Sequence, residues 1–444
     1  MSLQIRFSLK TNLCNTREQF LKLSKFKPHL SLIFALDWHV PIFAVIMSTL
    51  SNRINNLSES ATIKMAKMGR ELASKGVDVI SLSLGETDFY TPDFVKEAAK
   101  EAIDKNFSYY TPVAGYPELR KEIAAKLKRE NNLDYDFDQI VVSTGAKQSL
   151  ANAILCVVNP GEEVVIPTPY WVSYSELVKL AEGESVFINT TLESDFKITP
   201  EELEAAITPK TKLFMFSSPN NPTGSVYTRE ELAGLVKVFE KYPNIYIISD
   251  EIYEHINFLN AHESIAQFPT VKDRVIIING LSKAYAMTGW RIGYSVSNKE
   301  IAAACDKLQS QITSGTCSIT QKAGIAAYAG GLDTIHEMRT VFKERRDLVY
   351  GLLKDIPGLK VNLPGGAFYF FPEVSSFFGK TTPDGAIIKN AEDLSLYLLN
   401  TGHVATVSGD SFGDPNSIRL SYAAANEKLI EAMKRIKAAL GALK

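Results

Sequence analysis

Cysteine and histidine are scarce in this 444-residue chain, and neither is grouped. Cys14, Cys156, Cys305 and Cys317 form no C-x-x-C pair, and no two histidines stand closer than His255 and His262. That spacing excludes a zinc-binding set and argues against a disulfide framework, leaving reduced thiols in the cytoplasm as the expectation. Charge of one sign is also missing. Lys and Arg total 48 against 50 Asp and Glu, a net charge of −2, so there is no positive excess to displace counterions from a nucleic acid. No G-x-G-x-x-G follows a strand-like run, which removes a nicotinamide-binding Rossmann domain. Internal repeats and low-complexity tracts are absent. The longest apolar stretch, Leu30–Met47, contains Asp37, His39 and Pro41 and makes a poor membrane span.

What remains is an ordinary globular composition, 45% hydrophobic and 22% charged, long enough for two or three domains. Residues 1–46 stand apart: Arg6, Lys10, Arg17, Lys22, Lys25 and Lys27 face only Glu18 and Asp37. A targeting peptide, a membrane anchor and sequence upstream of a start at Met47 compete there. The last is preferred, because Met47-Ser48-Thr49-Leu50-Ser51 opens a polar, helix-ready segment. The extension also lacks a helix-turn-helix with a basic recognition helix, which argues against a DNA-binding regulator.

From Ser60 onward helical and strand-like patterns alternate. Ala61–Lys75 reads as an amphipathic helix and Val79–Ser83 as a short strand; Leu119, Ile123 and Leu127 mark one helix face after Tyr116-Pro117. Short apolar runs follow at Ile140–Val142, Val164–Ile166, Leu213–Phe216, Ile245–Ile248 and Val275–Ile278. Separated by helical patterns, they predict a largely parallel sheet with helices on both faces. After about residue 335 come a charged helix (Glu337 to Lys354), Pro364-Gly365-Gly366-Ala367 before an aromatic strand Phe368–Phe371, and a helix Glu427–Leu440. These pieces, joined by the helix near Ala61, predict a smaller second layer. The expected division is 1–46 extension, 47–95 N-terminal arm and part of the small domain, 96–335 large domain, and 336–444 small domain.

In open parallel sheets ligands bind beyond the carboxyl ends of the strands, so the residues just after each run carry the functional reading. Behind Ile140–Val142 stand Ser143-Thr144-Gly145-Ala146-Lys147, opening a helix whose N-terminus suits an anion; a plain turn is the alternative. Behind Leu213–Phe216, Pro219 and Pro222 stiffen a turn that projects the amide of Asn221, unless this is only a Pro/Gly turn. Behind Ile245–Ile248, Asp250 is a carboxylate that burial makes costly without a cationic or hydrogen-bonding partner; capping the next segment is its alternative role. Behind Val275–Ile278, Lys283 sits in an apolar, glycine-rich stretch that favours a neutral, nucleophilic amine, with Arg291 eight positions on to suit a phosphate. Anion cradle, amide, carboxylate and lysine with arginine together fit pyridoxal phosphate, through its phosphate, ring nitrogen and aldehyde.

At these residues the chain resembles the class I pyridoxal-phosphate-dependent aminotransferases, and within them the bacterial-type aspartate and aspartate/prephenate enzymes. The resemblance runs from about Ser60 to the C-terminus and is carried by Ser282-Lys283-Ala284-Tyr285-Ala286-Met287-Thr288-Gly289-Trp290-Arg291-Ile292-Gly293-Tyr294 and by Asn220-Asn221-Pro222-Thr223-Gly224. It implies an α/β fold-type I transferase, with a mostly parallel seven-stranded sheet in the large domain and a smaller α+β domain. It further implies that Lys283 is the catalytic lysine, holding the cofactor as an internal aldimine, and that Asp250 pairs with the ring nitrogen. Asn221 and Tyr253 would bond the ring hydroxyl; Gly145, Ala146, Ser282 and Arg291 would hold the phosphate. Trp171 would stack on the ring (core filling being its alternative), and Tyr110 would reach the neighbouring subunit's phosphate in a homodimer (surface packing beside Tyr109 being its alternative). Arg419 would clamp the substrate α-carboxylate, with a backbone contact from Gly85.

No arginine lies between Arg291 and Arg339, so the distal-carboxylate arginine of one aspartate-specific branch is missing. Lys147 and Thr62 match the positions the bacterial-type branch uses instead, a solvated helix lysine being the alternative for Lys147. The expected reaction is ping-pong transamination of aspartate with 2-oxoglutarate through aldimine and ketimine states. Prephenate, aromatic or other substrates and β-elimination on the same fold are the alternatives. A cytoplasmic enzyme without metal, nucleic-acid or membrane partners is expected.

Overall fold

The structure, a computed structural model, describes residues 50–259 and 261–444. The extension 1–46, with Cys14, and the favoured start at Met47 lie outside the described residues. A seven-stranded sheet forms from β1 (Ile140–Ser143), β2 (Glu163–Thr168), β3 (Glu184–Asn189), β4 (Thr211–Ser217), β5 (Tyr246–Asp250), β6 (Val275–Gly280) and β7 (Gly293–Val296). Their order across the sheet is β1-β7-β6-β5-β4-β2-β3. Only β7 runs against its neighbours, pairing antiparallel with both β1 and β6; the other pairs are parallel.

Five of these strands coincide with the apolar runs. Each is apolar at consecutive positions because both faces of the sheet are covered. Side chains alternate between faces: Phe214, Ile247, Val275 and Ile277 join one core, while Leu213, Met215, Ile248, Ile276 and Ile278 join the other. A further core gathers the C-terminal elements, among them Phe342 of the helix Asp333–Lys354, Phe368, Phe370 and Ile436, and takes in Ile80 and Leu82. Ile80–Ser81 pairs in parallel with Val404–Ala405, so the segment after the helix Ala61–Ser74 is stitched to the chain's far end.

Boundaries shift in ways that follow from packing. The strand expected over Val79–Ser83 shrinks to Ile80–Ser81 and that over Phe368–Phe371 to Tyr369–Phe370, because each pairs only briefly. The helix expected from Glu337 begins at Asp333. Among the described residues, no helix is long and apolar enough to cross a membrane.

Candidate active site

The strand ends converge on a cavity of about 280 Å³. Lys283, Asp250, Tyr253, Asn221, Arg291, Ser282, Ala146, Trp171, Gly85, Arg419, Lys147 and Thr62 all line it. β5 ends in Asp250, directly opposite Ser217 at the end of β4 and Ile278 of β6. The loop between β6 and β7 supplies Lys283 and Arg291.

Gly145 precedes the helix Ala146–Val157 at φ +84°. A Cβ there would lie 2.2 Å from Arg291 Nη2, and one on Gly293 would lie 2.2 Å from Ala146 N. The two glycines therefore let the guanidinium and the helix N-terminus crowd into one concave pocket, whose unpaired N–H groups favour an anion. Arg291 takes the left-handed conformation (φ +54°) and donates to the carbonyls of Thr288 at 2.8 Å and Thr144 at 3.4 Å.

Lys283 Nζ donates to the Gly85 carbonyl at 2.6 Å, with the Tyr253 and Phe368 rings each at 5.8 Å. Burial, followed by the nearby Arg419 charge, lowers its pKa to about 8. The amine therefore sheds its proton far closer to neutrality than a surface lysine does.

Asp250 is only 5% exposed. Burial pushes its carboxyl up to about 6, against the pull of the Tyr174 hydroxyl (2.7 Å to Oδ2) and the Ile252 N–H (3.3 Å to Oδ1). An unfolded aspartate titrates near 3.8, so between about pH 4 and 6 the unfolded chain has lost a proton that the folded chain keeps. This group's contribution to stability consequently falls as pH rises through that window. Asp250→Asn is expected to stabilise the cofactor-free protein at pH 7 by up to about 3 kcal/mol and to be nearly neutral at pH 4. Urea denaturation at the two pH values checks this; a less stable variant at pH 7 would contradict it.

Arg419 is 2% exposed. It donates to Asn221 Oδ1 at 2.9 Å and to the Ser83 carbonyl at 2.5 Å, and its Cζ lies 4.5 Å from the centre of the Tyr369 ring. Its Nε has no hydrogen-bond partner among the described residues. Lys147 Nζ, on an exposed side chain at the cavity mouth, lies 4.9 Å from the Trp171 ring centre.

The residues present fit pyridoxal phosphate on three counts. A buried carboxylate with a raised pKa faces the cavity and is stabilised by any cation brought to it. The Gly145–Arg291 concavity is one that a Cβ would fill. The lysine between them has a depressed pKa. Tyr110 is not brought to this cavity and is 98% exposed.

Sequence reading missed several members of the site. Tyr174 bonds Asp250, and Tyr369 meets the Tyr253 hydroxyl at 2.7 Å. A Cβ on Gly85 would lie 2.1 Å from the Tyr369 hydroxyl, so that approach requires glycine. Behind Tyr253, the buried Glu254 is paired with Lys126 and accepts from Asn131 and Asn279. Glu251, Glu254 and His262 lie close enough to share a cation, but those donors already occupy Glu254.

Residues 77–436 match the family model for aminotransferase class I and II. A probable aspartate/prephenate aminotransferase of Rhizobium leguminosarum bv. phaseoli is 46% identical over 400 residues, covering 90% of this chain and 100% of the relative. Among solved structures, the aspartate aminotransferase of Rhizobium meliloti superposes with a TM-score of 0.86 at 43% identity, covering 89% of this chain and 99% of the other. That of Thermus thermophilus with maleate gives 0.83 at 37%, covering 88% and 100%. With family model, relatives and fold in agreement over most of its length, this chain belongs to the class I and II aminotransferases.

Proposed function

We propose that the enzyme transfers the amino group of aspartate to 2-oxoglutarate with pyridoxal phosphate as cofactor. The observation that carries this reading is the meeting of Lys283, Asp250 and Arg419, from three distant chain segments, at one cavity. When bound, the cofactor supplies an electron sink that makes the α-proton of an amino acid removable. Asp250 would face its ring nitrogen and favour the protonated ring, while Asn221 and Tyr253 would bond the ring hydroxyl. Gly145, Ala146, Ser282 and Arg291 would hold the phosphate, and Trp171 would cover the ring.

Arg419 binds the α-carboxylate through its planar fork, which fixes the orientation of the Cα–H bond. Lys283, with a pKa of about 8, takes the α-proton as a base and returns it as an acid without leaving the cavity. Tyr110, exposed and not among the residues lining this cavity, is assigned to the site of a second copy; the reading is of a cytoplasmic homodimer with shared sites.

Lys147 and Thr62 are the proposed readers of the distal carboxylate. Maleate, a dicarboxylate, accompanies the Thermus structure, and the Rhizobium leguminosarum relative is named for aspartate and prephenate, which supports prephenate as a second oxo-acid acceptor. An exposed lysine lying over an aromatic ring can reach a carboxylate or withdraw from a ring-bearing substrate. Lys147→Ala is expected to lower kcat/KM for aspartate about 10- to 100-fold while changing that for phenylalanine less than about threefold, as for one lost charge contact. Steady-state kinetics with both donors provide the check, and equal losses would remove Lys147 as the reader.

A further inference from the structure

We infer that Cys156 and Cys305 are an oxidisable thiol pair that closes to a reversible disulfide clamp across the central sheet. Their placement follows from the register of two helices, Ala146–Val157 and Lys299–Ile312. Gln148 Nε2 donates to Thr313 Oγ1 at 2.7 Å, and Asn152 Nδ2 donates to Gln309 Oε1 at 3.0 Å. Four positions forward on the first helix thus match four positions back on the second, about one turn each in antiparallel packing. The next turn sets Cys156 opposite Cys305. Ala153 and Val157 on one helix and Ile301 and Ala302 on the other share one apolar core, in which Cys305 sits and against which Cys156 packs.

The two thiols, both free, are unequally placed. Cys156 is half-buried, open enough for a molecule the size of hydrogen peroxide, whereas Cys305 is fully enclosed. Their pairing lowers the Cys156 pKa against the effect of burial, and the charge of the exposed Lys307 adds to it. Pairing and burial together raise that of Cys305. Cys156 is therefore the attacking sulfur and Cys305 the resolving one. In the first step the Cys156 sulfur attacks a peroxide oxygen and the O–O bond breaks. The thiol proton leaves with the departing hydroxide as water, and Cys156 becomes a sulfenic acid. In the second step the Cys305 sulfur attacks the sulfenic sulfur, the S–O bond breaks, and the Cys305 proton leaves with hydroxide as a second water. The two thiols give up two electrons and one peroxide becomes two waters; a small dithiol reverses the change.

Cys156 and Cys305 bracket β2 to β7, six of the seven strands of the sheet. A bond between them closes a loop of about 150 residues and restricts the unfolded chain far more than the folded one, where the helix register already sets the two residues face to face. Oxidation therefore stabilises the sheet. A disulfide made and broken in this way is the kind that a reducing compartment admits. The inference does not rest on the proposed cofactor reading.

The experiment treats the purified full-length protein with hydrogen peroxide until the exposed Cys317 is oxidised, blocks the remaining thiols with an alkylating agent and maps the peptides without reduction. A Cys156–Cys305 linkage that dithiothreitol reverses is the expected result, with a Tm about 5 °C above that of the reduced protein. Cys156→Ser should abolish both the linkage and the rise in Tm. Cys305→Ala should stop the oxidation at a Cys156 sulfenic acid, trapped with a 1,3-diketone. Thiols at both positions still open to alkylation, or a wild-type Cys156 carried on to sulfinic acid without a linkage, overturn the pair. A linkage with no rise in Tm overturns the clamp. The wild-type map and its melting curve decide the matter alone if either variant fails to fold.

Discussion

Lys283→Ala is expected to lower amino transfer at least about 10⁴-fold and to leave the protein without a covalently held chromophore. The size of the effect follows from the geometry. Lys283 is the amine whose pKa is brought down to about 8 by burial and the Arg419 charge, and its Nζ rests on the Gly85 carbonyl at the cavity wall. In the proposed mechanism, losing it removes both the attachment point and the group that moves the α-proton. The fold should survive, since alanine removes an amine whose charge burial already disfavours. Single-turnover kinetics alongside thermal unfolding separate the two effects. A variant that turns over within about tenfold of wild type would remove Lys283 from the chemistry.

Arg419→Lys should be nearly as damaging to substrate capture, despite keeping the charge. The guanidinium spans Asn221 Oδ1 and the Ser83 carbonyl and, in its proposed role, would present a planar edge to the α-carboxylate; an ammonium cannot satisfy both sides. With buried acceptors left unpaired and bidentate recognition lost, kcat/KM for both amino acid and oxo acid should fall about 10²- to 10³-fold, corresponding to about 3–4 kcal/mol. The loss should appear for aspartate and phenylalanine alike, because both carry the α-carboxylate. Selective loss for aspartate would instead make Arg419 the distal reader and displace Lys147 from that role.

How much of this could be read in the sequence depended on how local each signal is. Strands buried on both faces announce themselves as apolar runs, and four of their ends carry Gly145, Asn221, Asp250 and Lys283 within a few residues. Glu184–Asn189 at the sheet edge escaped because it is largely exposed or half-buried along its length and so shows no continuous run. Gly293–Val296 escaped because its four residues continue directly from the glycine-rich motif around Arg291. Tyr174 could not be found by spacing at all: its hydroxyl, on the helix Ser173–Leu180 that follows β2, meets a carboxylate 76 positions away at the end of β5. Tyr369 is similar, reading as one more aromatic in a strand until its hydroxyl is seen against Tyr253 and Gly85. Lys147 was legible as a residue, but its position over Trp171 was not.

Borohydride reduction of the purified holoenzyme, followed by peptide mapping, puts the cofactor assignment to its simplest test. A pyridoxyl group fixed on Lys283, and on no other lysine, is the expected result. An unlabelled Lys283, or a label elsewhere with full activity retained, would contradict it.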